Sequence, residues 1–415
     1  MDLDKLKLLI LDLISPVREV PTDALTSLSE AELSEFLVIA RQHRLEPMLF
    51  WRLAHEKRDC QQPEALKVRL ANQFKQAALR ALTVQRELLL VHRILQAAGI
   101  PHVALKGAFL AFHAYPNPAL RPLRDVDILV PQKAVLEAYQ ALIDGGLQRI
   151  KAYAGDPEAT LVIGHHLPPL LSPSANVHVE LHARLFHQDK STNSREDLSE
   201  DQAFWARVRS ISVASNEVPF ESSTDLLLHM IVHAVYDHQF TNGPLLLSDL
   251  AYLLTSQPID WPLFWRLAHD RGQVRGCLLA FGLLERYWGK LPVTFPENLV
   301  RADMVMPIDD AALMMLRDFD ARTDVTLGNE VAAQASLLRK LKLLLSKAFP
   351  PKVQIAAQYP VSQHSLRVYF WYPVKWWSLL AFRLPRYLRS LTHDRVQGEV
   401  QGVREIERWL AAESV

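Results

Sequence analysis

VALKGAFLAFHAYPNPALRPLRDVDILV, residues 103–130, changes pattern several times in twenty-eight residues. It reads as a short β-type run, a turn at Gly107, a helix, a break at Pro116-Asn117-Pro118 and a second strand. Side chains two apart on a strand share a face. Asp125 and Asp127 therefore stand together, while Val126, Ile128 and Val130 point into a core. Neighbouring carboxylates repel each other. A hard divalent cation bound through oxygen is the common remedy.

Downstream, Lys133 to Ile143 reads as a helix stopped by Gly145 and Gly146, with a strand near Leu147 to Lys151. A loop carrying His165, His166, Pro168 and Pro169 leads to VHVELHARL, residues 177–185. Alternation there places His178, Glu180 and His182 on one face, which would bring Glu180 beside the two aspartates. From residue 221 onward the pattern is helical, with Thr224 or Asp225 as the expected cap. His229 and His233 lie one turn apart, but Met, Ile and Val separate them, without the glutamate of HExxH. Structural histidines, or ones facing a ligand, are the better reading. Asp249 sits in the leucine-rich run Leu245 to Leu254 and needs a buried partner, for which His229 or His233 would serve. Further helices are expected at Trp261 to His269, Asp310 to Phe319 and Glu330 to Lys347.

Upstream, residues 1–100 read as helical throughout. Ser29 and Glu32 form a capping-box pattern, with Ser27 competing as N-cap, and a long helix runs from about Pro63 to Ala98 with Gly99 as its stop. The expected organisation is a helical region at 1–99, a small mixed sheet core at 100–200, a helical domain packing on it at 201–290, a helical region at 291–350 and an aromatic, basic tail at 351–415. The fold class is α+β, a small mixed sheet embedded in a mainly helical chain.

The chain has 415 residues, enough for two or three domains, and its 49% apolar content is that of a globular protein. The net charge of zero argues mildly against a nucleic-acid partner. Cys60 and Cys277 give neither a disulfide framework nor metal-ligand spacing, as in a reducing compartment. The N-terminal run MDLDKLKLLILDLI reads as an amphipathic helix and not as a secretory signal. A cytoplasmic location is expected. In the tail, LRVYFWYPVKWWSLLAFRLPRYLRSL, residues 366–391, combines aromatics with arginines. It suits a membrane surface, a protein partner or ordinary packing.

The combination of LKG at 105–107, RDVDILV at 124–130 and VELHARL at 179–185 resembles the nucleotidyltransferase fold of the DNA polymerase β superfamily. More narrowly it is similar to the bacterial uncharacterised nucleotidyltransferases, whose helical half is also echoed in HMIVHAVYDH and LSDLA. The superfamily's Gly-Gly or Gly-Ser is here Gly107-Ala108, after Lys106. The resemblance implies transfer of NMP from an NTP, with two Mg²⁺ (or Mn²⁺) ions about 4 Å apart on Asp125, Asp127 and Glu180. It also implies nucleotide contacts from Lys106, Gly107, Arg121 and Arg124. His178, His182, His233 and Asp249 would stand behind them. The acceptor, a small molecule, protein or RNA end, is not written in the motifs. Two other readings stand beside this one: a non-catalytic binding or assembly protein on the same fold, and a zinc hydrolase built on His178, Glu180, His182 and the later histidines.

Overall fold

The computed structural model describes residues 3–19, 23, 25–56, 63–151, 155–172, 177–186, 202–297, 306–317, 336–383 and 394–412. Its centre is a mixed seven-stranded sheet in a mainly helical chain, an α+β fold. The strands are β1 (Val103–Ala104), β2 (Asp125–Leu129), β3 (Gln148–Arg149), β4 (Leu170–Leu171), β5 (His178–His182), β6 (Arg209–Val213) and β7 (Asn216–Phe220). Their order across the sheet is β3-β4-β5-β2-β1-β7-β6.

The alternation of β2 and β5 has the expected consequence. Val126, Ile128, Val179 and Leu181 are buried, while Asp125, Asp127, His178 and Glu180 remain half-buried on the other face. The two strands pair in parallel, with Asp125 opposite His178, Asp127 opposite Glu180 and Leu129 opposite His182. β1 pairs antiparallel with β2 and parallel with β7. It is only two residues long, and Ile100 just before it closes the preceding helix through a bond to Leu95 O.

The sheet extends beyond the expected 100–200. β6 and β7 form a hairpin whose two turn residues, Ala214 and Ser215, both have positive φ (45° and 66°). That is the backbone of a type I′ turn, here made without the usual asparagine or glycine. β4 likewise lies in what reads as loop, antiparallel to β5.

Helices cover the sheet. The long helix Glu64–Ala97 buries Leu70, Val84, Leu88, Val91 and Leu95 and ends at Gly99, whose φ of 68° suits the left-handed stop. The capping box at Ser29 and Glu32 is formed, so Ser29 is the cap and Ser27 is not. Helix Ser223–Val232 is capped by Ser222, not by Thr224 or Asp225. Asp225 is occupied elsewhere, bound at two points by Arg207 at 2.8 and 2.7 Å. Helices Leu245–Ser256, Trp261–Asp270 and Val274–Trp288 complete the second layer, and Trp288 ties to the first helix, Leu3–Ile14, by donating to Leu11 O at 3.0 Å. Helix Ile308–Met315 starts two residues before the expected one, and helix Leu337–Ala348 ends one residue beyond the expected 330–347 run. Phe319 and residues 330–335 of those expectations lie outside the described residues. No helix among the described residues is long and apolar enough to cross a membrane.

Candidate active site

A cavity of about 480 Å³ opens where the polar ends of β2 and β5 meet the second helical layer. Lys106, Gly107, Arg121, Arg124, Asp125, Asp127, Glu180, His182, His233 and Asp249 all line it. The structure thus brings together ten of the eleven residues singled out from sequence. His178, though opposite Asp125, is not among the lining residues.

The acidic wall follows from register. Asp127 and Glu180 are directly opposed on neighbouring parallel strands. His182, two residues on, completes a cluster in which one ligand atom from each of Asp127, Glu180 and His182 lies within 4.8 Å of the others. Among the described residues this is the group that could hold a metal ion, and Asp125 adjoins it without belonging to it. His182 Nε2 stands 3.5 Å from Asp127 Oδ1 and 4.0 Å from Glu180 Oε2. Those separations are long for hydrogen bonds, and both His182 ring nitrogens are buried without such a partner.

The carboxyls differ in their leanings. Burial, reinforced by Asp127 and Asp125, pushes Glu180 up to about 8. Burial and Asp127 push Asp125 up to about 6. Burial would raise Asp127 too, but His182 and Lys106 outweigh it and keep that carboxyl below its ordinary range.

The cationic side begins at Lys106. Its backbone has φ 33°, a conformation costly for a residue with a side chain. The strain is held by Glu221, fully buried, which accepts the Lys106 N–H at 2.9 Å. His229 Nδ1 sits 3.1 Å from the same carboxyl. Burial pushes Glu221 up to about 8 and His229 well down, so the uncharged forms of this pair are favoured. The Lys106 side chain is buried as well. Burial lowers its pKa against the pull of Asp127, Glu221, Asp237 and Asp125. Among the described residues its ammonium forms no close ion pair with them.

Arg121 is arranged differently. It donates from Nε and a terminal nitrogen to the two oxygens of Asp249 at 2.9 and 3.1 Å, and Tyr115 donates to the same carboxylate at 2.7 Å. This corrects the expectation that His229 or His233 would partner Asp249. His229 is taken by Glu221, and His233 meets His238 with Nε2 atoms 3.0 Å apart. The pair also explains Gly107. A Cβ there would lie 2.8 Å from the Arg121 guanidinium, which Asp249 prevents from swinging aside. Arg124 remains exposed at the cavity's edge.

Glu221 and the cavity residues His238, Arg44 and Asn242 carry no signal in the sequence that marks them as functional. Three histidines, His165, His166 and His182, pack with ring centres 4.8 to 5.4 Å apart. The bridge between His166 and His182 carries that loop onto β5. His165 and His166 had been noted only as loop residues, since nothing in their spacing announces a strand partner. A zinc site on His178 gains no support, because His178 stands apart from the cluster.

The family described as uncharacterised nucleotidyltransferase matches residues 29–289, more than half of the chain. The chain belongs to this family. Membership supports a nucleotidyltransferase activity and implies an NTP substrate. The matched span contains every residue of the cavity wall, from Arg44 to Asp249. Among curated proteins none matches the chain.

Proposed function

We propose that the chain transfers a nucleoside monophosphate from an NTP to a hydroxyl or phosphate acceptor in a reaction dependent on a divalent cation. The observation that carries this is the opposition of Asp127 and Glu180 across paired strands, with Asp125 beside them and Lys106 facing them in one cavity. The residues fit a cation. Glu180 is raised by burial and then by its acidic neighbours, and His182 brings two buried nitrogens that lack hydrogen-bond partners. Asp127, Glu180 and His182 would hold the first ion, and Asp125 with Asp127 would offer ligands to a second. When bound, such an ion neutralises charge on the transferred phosphate and favours ionisation of the attacking oxygen.

The chain's own groups supply the rest. Lys106 offers an ammonium for phosphate oxygens without first breaking a close ion pair. Arg124 supplies a second cation at the mouth. Glu180 would hold the ion nearer the attacking hydroxyl, and the proton of that hydroxyl leaves to water. The acceptor oxygen then bonds to the α-phosphorus as the bond to pyrophosphate breaks. Arg121 and Asp249 fix the wall behind Gly107. The work is positioning and electrostatics, with no covalent enzyme intermediate.

The test is the melting temperature of the purified protein against ATP, GTP, CTP and UTP, each with Mg²⁺, Mn²⁺ or chelator. Wild type is run beside Asp125→Asn/Asp127→Asn. A cation-dependent rise with one nucleotide, absent in the variant, supports the reading and names the donor. A nucleotide effect indifferent to cation and variant argues for a binding protein on the same fold.

A further inference from the structure

Between Glu330 and Asp394 the sequence contains ten Lys and Arg and no Asp or Glu. The whole chain balances 46 basic against 46 acidic residues, so everything outside this stretch carries ten excess negative charges. The stretch is thus a cationic segment in an otherwise acidic chain.

Two helical pieces in it carry exposed apolar side chains. Helix Leu337–Ala348 exposes Leu338 (80%), Leu345 and, just beyond its end, Phe349, with Arg339 and Lys342 exposed alongside. The helical run Leu366–Arg383 exposes Leu366, Phe370 (79%), Val374, Trp377 (71%) and Leu380. Those positions recur every three or four residues and form one stripe.

The pieces are fastened to each other and to the body. Tyr372 donates to Pro350 O at 2.7 Å and Trp376 to Ala348 O at 2.6 Å. Trp371 stacks on Tyr359 with ring centres 4.7 Å apart. Asp156 N donates to Ala356 O at 2.9 Å, and a Cβ at Gly155 would lie 2.1 Å from Ala357 O, so that contact admits only glycine. The stripe is therefore presented on a seated unit. It rests beside helix Pro157–Ile163, which leads directly to His165 and His166 of the cavity.

We propose that this face binds the surface of an anionic lipid bilayer. Exposed Trp, Phe and Leu match the depth of the headgroup region. Lysines and arginines without a single acid match its negative potential. A second copy docked face to face would set two cationic segments together, which disfavours self-association as the cover.

The test is flotation of the full chain with vesicles of phosphatidylcholine alone and of phosphatidylcholine with phosphatidylglycerol, at low and high salt. The wild type should float with the anionic vesicles, lose most binding at high salt and bind neutral vesicles at least about tenfold less. Phe370→Glu/Trp377→Glu should lower partitioning at least about tenfold while leaving the melting temperature unchanged, since both side chains are exposed. Leu79→Glu/Leu82→Glu, at exposed positions on helix Glu64–Ala97, should bind as wild type does. Absence of flotation, equal binding to neutral vesicles, or an undiminished Phe370→Glu/Trp377→Glu variant overturns the proposal. So does a dimer in solution that this variant dissociates while no vesicle binding is seen.

Discussion

Replacing Asp249 with asparagine separates the two roles open to Arg121. Asp249 is 7% exposed and takes three hydrogen bonds, two from Arg121 and one from Tyr115. Asparagine preserves the shape but removes the charge, leaving a guanidinium whose side chain is only 19% exposed without its counter-ion. Removing one partner of a buried pair costs about 3–5 kcal/mol. The residual exposure of Arg121 places this case near the lower end, about 3 kcal/mol. For a chain of 415 residues a kcal/mol corresponds to about 1 °C, so that is a fall in melting temperature of about 3 °C. Replacing both partners, as Arg121→Met/Asp249→Leu, removes the stranded charge and should restore most of the loss. Calorimetry gives the stability, and titration with the preferred NTP gives the affinity. If Asp249→Asn melts with the wild type, the pair is not the anchor described. If the double variant is stable but no longer binds nucleotide, Arg121 is itself a phosphate ligand.

Gly107→Ala should destabilise by about 1–3 kcal/mol through overpacking, because its Cβ would meet Arg121 at 2.8 Å and Leu123 at 3.2 Å. An unshifted melt would contradict that crowding. The pH dependence of the cation-free protein has a definite sign. Glu180 has a folded value raised to about 8, so the stability it contributes is complete below its unfolded value and declines as pH rises towards 8; Asp125, raised to about 6, acts in the same direction. Saturating Mn²⁺ binds the ionised carboxyls and should flatten or reverse that decline, whereas parallel melting curves with Mn²⁺ and with chelator would rule the linkage out. His182→Asn should weaken Mn²⁺ binding at least about tenfold by electron paramagnetic resonance titration, and an unchanged isotherm would remove His182 from the site.

The sheet's centre was legible because two short strands alternate cleanly. Asp125-Val-Asp127 and His178-Val-Glu180-Leu-His182 state both the face and, once paired, the register. The sheet's edges were not. β3 and β4 are two residues each, too short for any period. The β6–β7 hairpin turns on Ala214-Ser215, residues that do not advertise positive φ. Arg121 and Asp249 were both noticed, but their pairing spans 128 residues and depends on how the helical layer folds back. Glu221 was invisible for a similar reason. One acid after a strand resembles any solvated loop residue until the strained Lys106 backbone and His229 close over it. The cationic tail was plain as composition. Which of its aromatics face outward became clear only from the packing of Trp371, Tyr372 and Trp376 on their neighbours.

The central claim is that Asp127 and Glu180 together hold a divalent cation for NTP. Calorimetric titration of Mn²⁺ and Mg²⁺, with and without a non-hydrolysable NTP, tests it on wild type, Asp127→Asn and Glu180→Gln. The wild type should bind the cation, nucleotide should tighten the binding, and each substitution should weaken it at least about tenfold. Cation binding of wild-type strength in both folded variants would place the ion elsewhere and remove the basis for the proposed chemistry.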